Sequence, residues 1–218
     1  MRMAAEYMQK TKKNKGDFQP VVALDIGGVC ISLHPGKVAE ALGVELNAKY
    51  MPADFMNSCN LLEQSKISHD EWLEQFHQVT GRRFSRGKLM EIWNLSIGPA
   101  LPGMTEAVKD LVSRGVRFVY LSNTSREHMD CFFSSNEFSH LVTGGVFSYA
   151  EGIMKPEQGI YESFEKRYGI PMAYFDDRQE NIDAALKRHW HAVLFHSPEQ
   201  FYNEVLSLLQ NAEKDECR

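Results

Sequence analysis

Three acidic residues of this chain stand at the ends of short apolar runs. Asp25 closes the run "VVALD", and Asp176 and Asp177 close the run "MAYFDD". Carboxylates that face one another repel unless a cation lies between them, and hard oxygen ligands of this kind favour Mg²⁺. If the fold brings these residues together, Asp25, Asp176 and Asp177 are candidate ligands of a magnesium ion.

Three further polar residues suit the binding of a phosphate group. Ser122 and Asn123 follow the run "VRFVYL", and Lys155 precedes the helical pattern "PEQGIYESFEKRYG". An ammonium and a hydroxyl near a helix amino terminus can hold a phosphate dianion. A carboxylate placed between metal and phosphorus can attack as a nucleophile and form an aspartyl-phosphate, which water then hydrolyses. Each residue alone also suits an ordinary cap or turn; it is their shared placement that favours a site.

The elements that would position these residues alternate along the chain. "VVALD", "VRFVYL", "MAYF" and "AVLF" are short continuous apolar runs, typical of strands buried on both faces, and "GGVFSY" is a further strand or extended segment. Helical patterns of ten or more residues separate them, which predicts right-handed βαβ units. We therefore expect an α/β fold with a parallel, Rossmann-like sheet flanked by helices. The carboxyl ends of its strands share one edge, where the polar residues would converge.

The chain divides into segments of different character. Residues 1–19 are Lys-containing and polar, and we expect a flexible tail there. Residues 20–34 and 99–218 carry the strand–helix alternation of the core. Residues 35–98 show helical patterns without a convincing strand, which predicts an inserted all-helical domain.

The inserted segment carries recognisable helix signals. Ser68 and Glu71 form a capping box, and Ser85 is placed to cap a following helix. Spacing does not decide which of its side chains point toward the strand ends. The best candidates for a core role are Trp72, Phe76 and Trp93, and the candidates for lining a substrate space are Phe55, Asn57 and Trp93.

Composition excludes several classes of function. The formal net charge of −5 provides no basic field for nucleic acid. No apolar run approaches the roughly 18 residues that a membrane helix needs, and no apolar stretch follows the amino-terminal lysines as in a secretory signal. The four cysteines lie far apart without metal-ligand spacing, which favours reduced thiols in a cytoplasmic protein. The sequence does not decide the oligomeric state.

Taken together and in order, these segments resemble the four motifs of the haloacid dehalogenase superfamily. "VVALDIGGV", "VYLSNTS", "KPEQGIY" and "AYFDDRQENIDAA" correspond to the first through the fourth motif, and the resemblance covers about Val21 to Phe195. The inserted helices resemble the cap domain of that superfamily. "PGMTEAVKDLVSRG" and "DDRQENIDAA" are most similar to the subgroup containing alpha-D-glucose-1-phosphate phosphatases and the amino-terminal domain of soluble epoxide hydrolases.

The resemblance implies roles for the matched residues in phosphoryl transfer. Asp25 would be the nucleophile and a Mg²⁺ ligand. Ser122 and Asn123 would contact the phosphoryl oxygens of a small phosphorylated substrate, and Lys155 would neutralise charge and orient the acids.

It also implies the remaining ligands of the metal. Asp177 would bind the ion directly, and Asp176 would pair with Lys155 or with a metal-bound water. The backbone carbonyl of Gly27 matches a position whose main chain supplies a metal oxygen.

Gly27 is also where the chain departs from the superfamily. Most of its phosphatases have a second Asp there, which protonates the leaving group and then activates water. A positioned acid or base is worth roughly 10²–10⁴ in rate. Three explanations are open: a substrate with a good leaving group such as an anomeric phosphate, another proton donor such as His34 or a residue of the inserted helices, or a slow or inactive protein.

Three functions are therefore in competition. The leading one is a Mg²⁺-dependent phosphatase of small metabolites, with sugar phosphates as candidate substrates. A non-catalytic or weakly active protein of the same fold is the alternative that Gly27 supports. A 2-haloacid dehalogenase is less favoured, because metal-free attack on carbon has little use for Asp176 beside Asp177.

Overall fold

The structure is a computed structural model that describes residues 19–44 and 53–216. The predicted flexible tail lies outside the described residues, apart from its last position. The strands are β1 (Val21–Leu24), β2 (Ile31–Leu33), β3 (Ile97–Ala100), β4 (Arg117–Ser122), β5 (Gly145–Phe147), β6 (Ala173–Asp176) and β7 (Ala192–Leu194). The helices are α1 (Pro35–Leu42), α2 (Ala53–Glu63), α3 (His69–Val79), α4 (Arg86–Asn94), α5 (Met104–Ser113), α6 (Arg126–Ser135), α7 (Ser148–Glu151), α8 (Gln158–Tyr168), α9 (Gln179–Leu186) and α10 (Pro198–Glu216), with a 3₁₀ turn at Ser139–Leu141.

Five strands form one parallel sheet in the order β5-β4-β1-β6-β7. In its register, Leu24 lies opposite Tyr120 of β4 and opposite Phe175 of β6. One residue further on, Asp25 lies level with Asp176, and its backbone N–H donates to the Phe175 carbonyl at 3.0 Å. The predicted α/β fold is confirmed, and Asp25 directly follows its central strand.

Both faces of the sheet are buried, which explains the continuous apolar character of its central strands. Along β1, Val22 and Leu24 pack into a cluster with α5, α6 and α10, whereas Ala23 packs on the opposite face with α8 and α9. Phe118 and Val119 of β4 divide between the same two clusters. Because successive strand residues point to opposite faces, a sheet covered by helices on both sides needs an apolar residue at every position.

The helical insertion, α1–α4, has a small core of its own. Trp72 and Phe76 are fully buried there, as predicted, and Phe55 joins them with its ring centroid 5.0 Å from that of Phe76. Phe55 therefore belongs to the core of the insertion and does not line a substrate space. The predicted capping box begins α3, with the Glu71 N–H donating to Ser68 Oγ at 3.2 Å and the Ser68 N–H donating to Glu71 Oε2 at 2.8 Å.

The insertion enters and leaves the core through a two-stranded antiparallel ribbon, β2–β3. The sequence pattern predicts no strand between residues 35 and 98, and β3, which begins at Ile97, corrects that interpretation. Gly98 and Pro99 interrupt its short run, so no apolar alternation marks it. The helical pattern that starts at Pro156 becomes helix α8 only at Gln158, two residues later.

The insertion packs on the first turns of α6. The indole of Trp93 stacks on the imidazole of His128, with centroids 5.1 Å apart and an interplanar angle of 8°. His69 Nδ1 lies 3.2 Å from Glu127 Oε1. No helix within the described residues combines the length and apolar character needed to cross a bilayer.

Candidate active site

The carboxyl group of Asp25 lies in the crevice at the carboxyl edge of the sheet. Its side chain is buried, and the Ile26 N–H donates to Oδ1 at 2.7 Å. Ser122 lies beside this carboxyl group, with its Oγ donating to the Asn123 carbonyl at 3.5 Å, and Lys155 Nζ lies 3.0 Å from Asp25 Oδ1. Burial raises the pKa of Asp25 to about 6, against the opposing effect of the Lys155 ammonium.

Lys155 supplies the positive charge of the site from a fully enclosed position. Its Nζ donates to Asp176 Oδ2 at 2.6 Å and to the Leu121 carbonyl at 2.8 Å, and it forms the ion pair with Asp25. Burial opposes the charged form, yet Asp25 and Asp176 together hold the pKa of Lys155 above its ordinary value. One buried ammonium therefore bridges two carboxylates that are 151 positions apart in sequence.

Asn123 positions Lys155 rather than facing the crevice with its amide. Its Oδ1 accepts the Lys155 N–H at 2.7 Å, and its Nδ2 donates to the Lys155 carbonyl at 2.9 Å. This reciprocal pair fixes the backbone of a loop that no strand holds. Asn123 was predicted to contact phosphoryl oxygens, but both polar atoms of its side chain are already hydrogen-bonded to the Lys155 backbone.

Asp176 is buried with hydrogen bonds to both carboxylate oxygens. Oδ2 accepts from Lys155 Nζ and from Tyr174 Oη at 2.5 Å, and Oδ1 accepts from the Arg178 N–H and from Asn181 Nδ2, each at 2.9 Å. Burial acts to raise its pKa, but the Lys155 charge and these hydrogen bonds hold the pKa below the ordinary value. With four donors already in place, Asp176 is suited to orienting Lys155, and direct metal coordination would displace a bond.

Asp177 is exposed at the mouth of the crevice, beside the loop that follows Asp25. A Cβ atom built on Gly28 would lie 2.2 Å from Asp177 Oδ2, and Gly28 has φ +76°. Only a residue without a side chain allows this approach in this backbone conformation. Partial burial, followed by repulsion from Asp176, raises the pKa of Asp177.

The donor set fits a divalent cation. Asp25, Asp176 and Asp177 each place one carboxylate oxygen within 4.8 Å of the others. Three carboxylates beside the single ammonium of Lys155 leave two negative charges, which an ion such as Mg²⁺ would balance. Asp25 and Asp177 are the direct ligands that this arrangement favours, because Asp176 is already committed to Lys155.

Gly27 leaves one side of Asp25 without a polar side chain from the core. A Cβ atom at this position would lie 2.9 Å from Leu33 Cδ1, so the Leu33 side chain lies where a longer residue would project. His34, the first alternative proton donor, packs against Gly98 instead, and no interaction joins it to Asp25 among the described residues.

Two charged residues near the site were missed by the sequence analysis. The carboxyl group of Glu63, at the end of α2, interacts electrostatically with Asp25, Arg178 and Lys155. Arg178 follows Asp177 directly and also pairs with Glu180. Neither stands at the end of an apolar strand, so the pattern that found the other site residues could not find these two.

Comparison with known proteins identifies the family. The family model of haloacid dehalogenase-like hydrolases matches residues 20–187, from β1 through α9. The chain belongs to the haloacid dehalogenase-like hydrolases. The match includes every residue that the sequence placed in the site.

Solved structures of haloacid dehalogenase-like proteins share this fold. A HAD family enzyme from Bacteroides thetaiotaomicron, in complex with magnesium and inorganic phosphate, superimposes with a TM-score of 0.71 at 18% identity over 83% of this chain and 96% of that one. A predicted HAD-like family hydrolase from Porphyromonas gingivalis gives 0.68 at 17% identity, over 88% and 98%. A dehalogenase with an intermediate complex gives 0.56 at 17% identity, over 83% and 86%. No curated protein sequence matches the chain.

Proposed function

We propose that this haloacid dehalogenase-like hydrolase is a Mg²⁺-dependent phosphatase that acts on a small phosphorylated metabolite. One observation carries the proposal: Asp25, Asp176 and Asp177 each place a carboxylate oxygen within 4.8 Å of the others, and the buried ammonium of Lys155 pairs with Asp25 and Asp176. This arrangement provides a nucleophilic carboxylate beside a cation site and a fixed positive charge, which attack on phosphorus requires.

The residues of the site divide the work of phosphoryl transfer between them. Asp25 attacks phosphorus and forms the aspartyl-phosphate, while Ser122 supplies a hydroxyl toward the phosphoryl oxygens. Lys155, held by Asp176 and by the Asn123 amide, keeps Asp25 ionised and offsets the negative charge of the substrate. The raised pKa of Asp25 shows how much this carboxyl group depends on a nearby cation for its charge.

Magnesium would be held by Asp25 and Asp177, with Asp176 oriented behind them. When bound, the ion supplies Lewis-acid neutralisation of the charge on the phosphoryl oxygens. The HAD family enzyme from B. thetaiotaomicron in complex with magnesium and inorganic phosphate supports this assignment by the similarity of its fold.

Sugar phosphates are the first substrate class to test. The resemblance of "PGMTEAVKDLVSRG" and "DDRQENIDAA" to the alpha-D-glucose-1-phosphate phosphatase subgroup supports them. The inserted helices, which we propose form the cap domain over residues 35–98, would enclose the non-phosphate part of the substrate. The unpaired, buried thiols of Cys30 and Cys59 support a reducing compartment such as the cytoplasm.

The test is phosphate release from a panel of sugar phosphates and nucleotides, with Mg²⁺ and with EDTA. We expect Mg²⁺-dependent turnover by the wild-type protein and none by Asp25→Asn. Asp183→Asn is the matched control, because Asp183 is an exposed carboxylate on α9 that contacts only Gln179 among the interactions described. Mg²⁺ binding without turnover on any ester would favour the non-catalytic alternative instead.

A further inference from the structure

On the side of Asp25 next to Gly27, no residue of the core strands that the structure describes can donate a proton to a leaving group. The space in which a side chain at position 27 would project is held by Leu33, which is 50% exposed at the crevice. An oxygen that leaves phosphorus on this side would meet hydrocarbon. A proton donor for that oxygen must come from another part of the fold.

The end of α2 lies next to the loop that carries Lys155. Directly after Glu63, Gln64 Nε2 donates to Met154 Sδ at 3.3 Å, and Ser65 Oγ donates to the Tyr149 carbonyl at 2.7 Å. Met154 immediately precedes Lys155, whose ammonium is 3.0 Å from Asp25. These contacts fix the last turn of an insertion helix against the catalytic half of the molecule.

Glu63 is half-buried there and faces charges from three separate elements. Its carboxyl group interacts with Asp25 from β1, with Arg178 from the loop before α9, and with Lys155 from the loop before α8. On its own helix it also interacts electrostatically with Cys59. Burial, followed by the Asp25 charge, raises the pKa of Glu63 to about 7, which suits a group that must both give and take a proton near neutrality.

We propose that Glu63 performs the two proton transfers that Gly27 cannot perform. This inference rests on the proposed phosphatase activity. In the first half-reaction an Asp25 oxygen bonds to phosphorus, the ester P–O bond breaks, and its electron pair stays on the leaving oxygen, which takes the proton of the Glu63 carboxyl. In the second, Glu63 carboxylate accepts a proton from the water that attacks phosphorus, and the P–O bond to Asp25 breaks with its electrons returning to Asp25. The products are the alcohol and inorganic phosphate, and Glu63 is protonated again.

Leaving groups that differ in basicity test the first transfer. An alkyl phosphate such as glycerol phosphate or a sugar 6-phosphate needs a proton on its leaving oxygen, whereas p-nitrophenyl phosphate does not. We expect Glu63→Gln to lower kcat/KM for the alkyl phosphate by about 10²–10⁴-fold and to lower kcat/KM for p-nitrophenyl phosphate by less than about tenfold. For the alkyl phosphate, kcat/KM of Glu63→Asp should lie between the values of the wild-type protein and of Glu63→Gln, because its carboxyl group is displaced but present.

A pre-steady-state measurement tests the second transfer. With p-nitrophenyl phosphate, Glu63→Gln should release one equivalent of p-nitrophenolate rapidly and then turn over slowly, with phosphate accumulating on Asp25. The wild-type protein should show no such burst. A residue with a purely structural role would lower both phases together.

Rescue and control variants complete the design. Gly27→Asp combined with Leu33→Ala restores a core acid and the space for it, and in the Glu63→Gln background it should recover most of the alkyl phosphate activity. Glu91→Gln, an exposed Glu on α4 of the same insertion, should behave as wild type. Equal loss on both substrates without a burst, or no loss on either, would overturn the role of Glu63 while leaving the phosphatase intact. Absence of wild-type turnover on both substrates would overturn the phosphatase itself, and the assignment of Glu63 with it.

Discussion

On one side of Asp25, Lys155 and Asp176 are enclosed and hydrogen-bonded at every charged atom; on the other side, Gly27 has no side chain and Leu33 is half-exposed. The first side is built from strand ends and two neighbouring loops of the core. The second depends on Glu63 from the helical insertion. The charged groups of the first side thus belong to the core, whereas the proposed proton donor, Glu63, belongs to helix α2 of the insertion.

The largest expected effect comes from removing the charge on the enclosed side. Lys155→Met would leave Asp25 and Asp176 facing each other without the ammonium between them. Breaking a buried ion pair in this way is strongly destabilising, by about 3–5 kcal/mol. Urea unfolding should show this loss in the free energy of unfolding, and phosphate release should be abolished. Lys187→Met, at an exposed position after α9, is the control and should change neither quantity.

Asp25 and Asp176 should differ in how pH changes their contributions to the free energy of unfolding. A carboxyl group with a raised pKa holds its proton in the folded state and releases it in the unfolded state, so the stability it contributes is lost as pH rises through the window between the two values. For Asp25 that window runs from the ordinary value of 3.8 to about 6. We expect the metal-free protein to lose up to about 3 kcal/mol of unfolding free energy across it.

Asp176 has the opposite sign, because its pKa is held below the ordinary value. Its contribution is present above that value and is lost only as pH falls through the lowered pKa. Urea unfolding in EDTA at pH 4, 5, 6 and 7 measures the sum of these contributions and that of Glu63, whose pKa is raised to about 7 and whose contribution is also lost as pH rises. The decline between pH 4 and pH 6 should be reduced in Asp25→Asn; identical slopes for the two proteins would contradict the assignment of this window to Asp25.

Tyr174→Phe probes the enclosed side more gently. It removes one donor to Asp176 Oδ2, a hydrogen bond of 2.5 Å, and retains the Lys155 bond. Hydrogen bonds to charged groups contribute about 1.5–3 kcal/mol, and we expect a loss of that size in unfolding free energy with activity retained. Tyr202→Phe removes a similar bond to Asp110 far from the site and should leave turnover unchanged. Unchanged stability of Tyr174→Phe would show that the Tyr174 bond adds nothing to the other donors of Asp176, which are Lys155, the Arg178 N–H and Asn181.

The smallest expected effect on stability comes from Gly28→Ala at the mouth of the crevice. The positive φ of Gly28 makes alanine strained by about 1–2 kcal/mol, and the added Cβ would displace the Asp177 carboxyl group. Mg²⁺ affinity, measured by calorimetry, should fall at least tenfold.

Gly115→Ala supplies the matched control for that variant. Gly115 has φ +88°, and nothing lies within 4 Å of the position its Cβ would occupy. It should show the same strain in unfolding free energy but normal Mg²⁺ affinity. Equal Mg²⁺ affinities in the two variants would remove Asp177 from the proposed ligand set.

The residues on the enclosed side of Asp25 could be predicted from the sequence, because a parallel sheet brings its strand ends to one edge. Asp25, Ser122 and Asp176 each follow an apolar strand, and the register then places Asp25 level with Asp176. Lys155 required the motif order as well, since it lies in a loop. The sequence could not show that Asn123 would hold the Lys155 backbone, because an amide suits a substrate and a peptide group equally well.

Glu63, which we assign to the side of Gly27 and Leu33, could not be predicted in the same way. Glu63 is one of several polar residues in "NLLEQSK", and only the docking of α2 on the core loop separates it from its neighbours. Phe55, a candidate for lining a substrate space, is instead buried in the core of the insertion, because helical spacing alone does not show which face turns toward a substrate. The β2–β3 ribbon was missed because its strands are only three and four residues long, and Gly98 and Pro99 also interrupt β3, so that neither strand shows a period of two.

That ribbon brings the two crossings between the catalytic half and the inserted helices side by side, with the His34 N–H donating to the Ser96 carbonyl at 2.8 Å. The segment from Pro35 to Leu95 therefore leaves and re-enters the core at neighbouring points, and it contributes no strand to the five-stranded sheet. A helical bundle from another member of the family, with ends equally close together, could be grafted at these two points and would bring a new set of leaving-group contacts to an unchanged Asp25. Insertions whose ends meet are the ones that chains exchange most readily. Such a graft would therefore replace Glu63 together with the leaving-group contacts, while Asp25, Lys155 and Asp176 would stay on the core.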